Sequence, residues 1–212
     1  MMNSIFNYDN PVFSSISKIF DVIFLNILWI GFSIPLITFG ASTTALYYTV
    51  NKVIRHDRGY VFREFFSGFR SNFKQSTLMW IVVAAFLLLF HVDSRIMGMF
   101  TGDLSPYAVC FFRILMMLCS VYMIYLFAYT ARFTDGIKST LKNAGIMAVV
   151  HLPTSLLILA GEMICGFGIF VVPALLFIMP GMYCLICNFL LERVFRRYMS
   201  EADLDYERLI NS

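Results

Sequence analysis

The sequence predicts an all-α, polytopic membrane protein with five full spans, a short returning helix and a cytoplasmic amphipathic helix. Three observations carry that prediction. Of 212 residues, 59% are hydrophobic and only 14% are charged, against about 25% charged in soluble domains. Uncharged runs recur along the chain, beginning with Val22 to Asn51, whereas crossing about 30 Å of hydrocarbon as helix takes about 20 apolar residues. Lys and Arg gather in alternate connections, as they do on the cytoplasmic side of a membrane.

The first span is expected over about residues 19–39 and is interrupted by Pro35 and Gly40. A broken helix survives at membrane depth only where protein or a cavity shields the freed backbone groups. Two paths are open: a single crossing that leaves the N-terminus outside, or a full helix that turns near Pro35 to Gly40 and returns as a short helix over 41–54. We take the second. The returning helix, about 21 Å long, is short of a crossing. Its small and hydroxyl residues, Ser42, Thr43 and Thr44, with Thr38, Tyr47 and Tyr48, either pack neighbouring helices closely or line a polar cavity; packing is the expectation.

Residues 60–74 come next, with Phe62, Phe65, Phe66, Phe69 and Phe73 at helical spacing and Arg63, Glu64, Arg70 and Lys74 between them. That pattern predicts an amphipathic helix at the membrane interface. The candidate partner surface is Phe62, Arg63, Phe66, Phe69, Arg70 and Phe73. Further spans are expected over 75–96, 104–131, 142–161 and 167–191, with Pro173 and Pro180 as places for the last to kink. Residues 192–212 read as a cytoplasmic tail whose charges are solvated.

Six basic residues from Lys52 to Lys74 fall between the first two spans, and Arg132, Lys138 and Lys142 precede the fourth. Arg193, Arg196 and Arg197 follow the fifth, while the intervening connections and the span ends beside them hold only Arg95. The C-terminus is therefore expected in the cytoplasm, and so is the N-terminus if the first run is a hairpin. The first basic residue is Lys18, too late and before too long an apolar run for a cleaved signal, so the N-terminus is expected to be retained.

Little points to chemistry. The five cysteines lie in or beside apolar spans, and Cys184 and Cys187 lack the second pair a zinc site needs. No phosphate-binding loop or metalloprotease motif occurs, and the three histidines, His56, His91 and His151, are far apart. The chain is expected to be no enzyme, with no cofactor and no nucleic-acid partner. Asp21 and Glu162 read as span-end residues within reach of water. His151 stands near the middle of the fourth expected span, where hydrogen bonding to a neighbouring helix is the expectation.

The segments Asn26-Ile-Leu-Trp29, Ser33 to Gly40, Thr43 to Tyr48 and Arg63 to Gln75 resemble the N-terminal signature of the YesL family of bacterial membrane proteins. The resemblance continues through Leu141 to Ala144, His151-Leu-Pro153, Pro180 to Tyr183 and Leu190 to Phe195. This family, a domain of unknown function, is associated by gene neighbourhood with ABC importers for oligosaccharides. The resemblance implies a bacterial inner-membrane protein that is an accessory subunit of a carbohydrate importer, with ABC permease subunits and membrane lipid as partners. It implies no functional residues, and Arg55 to Gly59 departs from the more acidic stretch usual in the family. An autonomous sugar or small-molecule transporter is the alternative, weakened by the absence of a second copy of the Pro35 to Tyr48 pattern, since such folds are commonly built from repeats.

Overall fold

The computed structural model describes residues 11–100 and 104–199, with side chains from residue 17 onward. Among these residues the protein is all-helical. The helices are α1 (Pro11–Ser33), α2 (Phe39–Thr49), α3 (Val61–Met97), α4 (Ser105–Arg132), α5 (Ile137–Val150), α6 (Leu152–Val171) and α7 (Met179–Phe195). Three of them, α3, α4 and α6, are long and apolar enough to cross a membrane, and their outward faces are apolar, with Phe86, Leu88, Phe111, Leu118, Ile164 and Phe167 all exposed. Surfaces of this kind belong in lipid. The acidic tail residues Glu201, Asp203, Asp205 and Glu207 lie outside the described residues.

α1 ends at Ser33, just ahead of Pro35, and a 3-10 turn over Leu36–Thr38 leads into α2. The two helices pair through Trp29, whose indole donates to the Thr43 hydroxyl at 3.2 Å, and through Ser33 and Ser42, whose hydroxyls are 2.6 Å apart. The turn frees backbone carbonyls, and side chains take them up. Thr38 donates to the Phe32 and Pro35 carbonyls, and Trp80 of α3 donates to the Leu36 carbonyl at 2.6 Å. α2 continues as a π-helical turn over Val50–Arg55, and the left-handed backbone at Asp57 and Gly59 then swings the chain into α3.

α2 and α3 run antiparallel and approach closely. Gly40 makes this possible: a Cβ there would lie 2.5 Å from the Trp80 Cβ and 2.6 Å from the Ser76 carbonyl oxygen. One turn on, Thr44 and Ser76 share a buried hydrogen bond of 2.9 Å, and Gly68 receives the ring of Tyr48. Phe32 of α1 packs against Phe65, Phe66 and Phe69.

The segment expected as a separate interfacial helix over 60–74 is instead the first part of α3, a single helix of 37 residues and about 55 Å. No proline interrupts Val61 to Met97, and the packing at Gly68 and Ser76 keeps the backbone regular across the change from amphipathic to apolar sequence. Because the turn before α2 meets α3 near Trp80, the rest of α3 continues about 25 Å past it against the facing half of α4, where Phe90 meets Phe112.

The fourth expected span, 142–161, is divided. α5 stops at Val150, His151 takes φ −102° and ψ 50°, and α6 begins at Leu152 with Pro153 in its first turn. Proline lacks the N–H that a continuous helix would use and fits the first turn of a new one. His151 therefore sits at a helix junction rather than in a span, 3.1 Å from the Tyr198 hydroxyl. The fifth expected span, 167–191, is divided as well: α6 runs to Val171, a 3-10 turn follows over Pro173–Phe177, and α7 returns. Asn26 of α1, fully buried, seals that break by donating to the Phe177 and Ile178 carbonyls at 3.0 and 3.2 Å.

Gly40→Ala should lower the unfolding midpoint, with a cost of about 1–3 kcal/mol for overpacking, because the atoms it would meet are backbone and a Cβ. Gly31→Ala, whose Cβ meets nothing within 4 Å, should be neutral or stabilising by up to about 1 kcal/mol through helix propensity. Thermal melts in one detergent compare the two.

Candidate functional site

The described helices form a half-open apolar cavity of about 330 Å³ between the α1–α2 hairpin on one side and α4, α6 and α7 on the other. α1 and α2 contribute Trp29, Phe39, Thr43, Leu46 and Tyr47, and α4 contributes Ser120, Met123, Ile124 and Phe127. α6 presents Glu162, Cys165, Gly166 and Ile169 on one face, as positions three and four apart must be. Leu176 and Pro180 close one end, while Tyr183, Cys184 and Cys187 of α7 form the remaining wall. All five cysteines are free thiols.

Glu162 is the ionisable side chain in this lining that a membrane protein carries at the greatest cost. Instead of marking the end of a span, it stands near the middle of α6. Among the described residues its hydrogen-bond partner is the Ser120 hydroxyl, 2.9 Å from Oε2, and that hydroxyl also lies 2.8 Å from the Met117 carbonyl. The other polar groups of the wall are largely committed elsewhere. Tyr183 donates to the Ile158 carbonyl at 2.8 Å, and Thr43 donates to the Phe39 carbonyl at 2.8 Å while accepting from Trp29.

The hydroxyl cluster of α2 divides between two roles. Ser42 and Thr44 are fully buried, turned onto Phe39 and Gly40 carbonyls or onto Ser33 and Ser76. Thr43 and Tyr47 line the cavity. The Tyr47 hydroxyl is buried without a hydrogen-bond partner among the described residues, in the field of Glu192 and Arg132. Pro35 and Thr38 form the turn, Gly40 the close approach, and Tyr48 the contact over Gly68 and Lys52.

A polar layer lies beside the cavity. Arg132 Nε is 3.4 Å from the buried Glu192 carboxylate, Asn51 donates to the same carboxylate at 3.3 Å, and Arg55 donates to Asn188 at 2.8 Å. The π-helical turn over Val50–Arg55 widens the backbone where Asn51 and Arg55 project, and the His56 ring lies 2.6 Å from the Asn51 carbonyl. A second pocket of about 410 Å³ is edged by Tyr129, Asp135, Asn143 and Tyr198. There the Tyr129 hydroxyl donates to Asp135 and accepts from Asn143 at 2.9 Å. Nothing in the sequence marked these groups as neighbours, since the bonds join segments as far apart as the turn after α2 and α7.

The expected partner surface lies on the first part of α3. Phe62, Arg63, Phe66, Arg70 and Phe73 are exposed, whereas Phe69 is half-buried against Phe32. On the opposite side Glu64 binds Lys52 at 2.6 Å and so ties α3 to the end of the hairpin. Among the described residues, no group of three or more His, Cys, Asp or Glu stands close enough to hold a metal ion.

The family described as protein of unknown function DUF624 matches residues 22–94, from α1 through nearly all of α3. No curated protein and no solved structure matches the chain.

The Glu64 carboxylate, helped by the Tyr48 hydroxyl, holds the Lys52 ammonium above its ordinary range against the opposing effect of burial. A raised folded-state value means that the stabilisation is complete below the unfolded value of about 10.4 and is lost as pH rises through the folded one. The difference in melting temperature between the protein and Lys52→Met should therefore stay constant from pH 7 to about 10 and shrink above that.

Proposed function

We propose that the protein is a non-enzymatic membrane subunit that binds the permeases of a bacterial carbohydrate ABC importer and assists their assembly, stability or regulation. The observation that carries this reading is the exposed ridge of Phe62, Arg63, Phe66, Arg70 and Phe73 on α3. The ridge is continuous with a membrane-crossing helix and is braced from behind by α1 and α2. Phe and Arg are among the side chains enriched at protein–protein interfaces. A ridge held on a rigid helix also loses little conformational freedom when it docks. The choice of partner rests on the resemblance to the YesL family and its association with oligosaccharide importers. The Lys and Arg distribution supports placing the ridge and both termini on the cytoplasmic side of the bacterial inner membrane.

A second reading, an autonomous transporter of sugars or small molecules, draws on one specific observation: the cavity that holds Glu162 at the middle of α6. Purified protein in liposomes that accumulates a labelled oligosaccharide without other subunits would favour it over the first.

Crosslinking and affinity purification from native membranes should recover permease subunits with the intact protein. Phe62→Ser combined with Arg70→Glu should lower that recovery about tenfold or more, as the loss of hot-spot contacts does, without moving the melting temperature. Consistent isolation of the intact chain alone would defeat the subunit reading.

A further inference from the structure

The cavity wall places one carboxyl among apolar and aromatic side chains without a cation to balance it. Three ion pairs occur among the described residues, Lys18 with Asp57, Lys52 with Glu64 and Arg132 with Glu192, and none includes Glu162. Its bond to Ser120 engages one oxygen, and the Met117 carbonyl competes for the same hydroxyl proton. An ionised carboxylate in such surroundings is costly unless a positive charge comes to it.

The shape of the wall fits such a visitor. Gly166, one turn from Glu162 on the same face of α6, is exposed, and a Cβ added there would meet nothing within 4 Å. The pocket therefore opens to its surroundings one turn from the carboxyl, which gives a ligand a way in. Trp29, Phe39, Phe127 and Tyr183 supply aromatic rings around it, and aromatic faces attract cations most strongly where water is excluded. A volume of about 330 Å³ lies within the usual range of small-molecule sites.

We propose that this cavity binds a lipophilic cation, an apolar body carrying an ammonium-type group, with Glu162 as its counter-ion. A lipid acyl chain would fill the same volume but would leave the carboxyl without a partner. The cation satisfies both the apolar wall and the charge. This site is independent of the α3 ridge and holds whether the protein acts as a subunit or alone.

The test uses the full chain in phosphatidylcholine nanodiscs and two probes of nearly equal shape, benzyltrimethylammonium and its neutral carbon analogue neopentylbenzene, followed by isothermal titration. The cation should bind about tenfold or more tightly than the neutral probe, as one charge pair provides. Glu162→Gln should erase that preference, and Glu162→Asp, which keeps the charge, should retain it. Gly166→Leu, which narrows the open side of the pocket, should weaken binding of both probes. Thermal melts establish that each variant is folded. Equal affinity for the two probes, a preference that survives Glu162→Gln, or cation binding left unchanged by Gly166→Leu would overturn the proposal. A preference for the neutral probe would mark an acyl-chain site instead.

Discussion

The constraint on which the rest of the structure depends is the satisfaction of backbone groups where apolar helices break. The described chain interrupts its apolar helices at Pro35–Thr38, at His151–Pro153 and at Val172–Ile178, and each break releases carbonyls that need donors, most of all where no water can reach them. Every break is met by side chains. Trp80 and Thr38 serve the first, Ser155 donates to the Ala148 and His151 carbonyls at the second, and Asn26 serves the third. Two of these donors come from distant segments, Trp80 for the first break and Asn26 for the third. The breaks are therefore also the points at which tertiary structure is fixed, and removing a donor would expose an unmet carbonyl at a cost above that of an ordinary lost hydrogen bond.

The same breaks make the cavity. α6 and α7 lie close on either side of the turn at Pro173–Phe177, where Gly161 faces Tyr183 and Gly168 faces Met179, and the cavity forms where the hairpin faces this pair across α4. Asn26 links the two features, since it lies on α1 and holds the α6–α7 connection in place. Gly181 allows that contact: a Cβ there would come within 2.9 Å of the Asn26 amide. The hairpin and the α6–α7 pair are thus joined at one end by this buried amide and at the other by Asn51 and Arg55, which donate to Glu192 and Asn188 of α7.

The parts of this fold legible in the sequence are those written in backbone chemistry. Pro35 and Gly40 mark a turn because proline ends a helix and glycine admits a close neighbour, and the turn lies between them. Length and apolarity alone pick out α3 and α4. The misread parts share a cause. At Lys74–Gln75 the side-chain pattern changes while the backbone does not, so a boundary drawn from polarity divides one helix in two. At Leu152–Pro153 the reverse holds: the sequence remains apolar through a real break, and apolarity hides it. Glu162 appeared to mark a boundary between two uncharged runs for the same reason, although α6 carries it at its middle.

Sites assembled across helices were less legible still. Glu162 and Ser120 are 42 residues apart, and Asn51 and Glu192 are 141 apart, so no local spacing relates them. What distinguishes them is cost. Glu192 is nearly fully buried and meets Arg132 and Asn51, which makes it part of the frame. Glu162 meets one hydroxyl and an open volume. Of two acidic groups held within one helical bundle, the one whose charge the bundle leaves unbalanced is the one that a ligand can address, because binding there removes a cost that the fold itself has not removed.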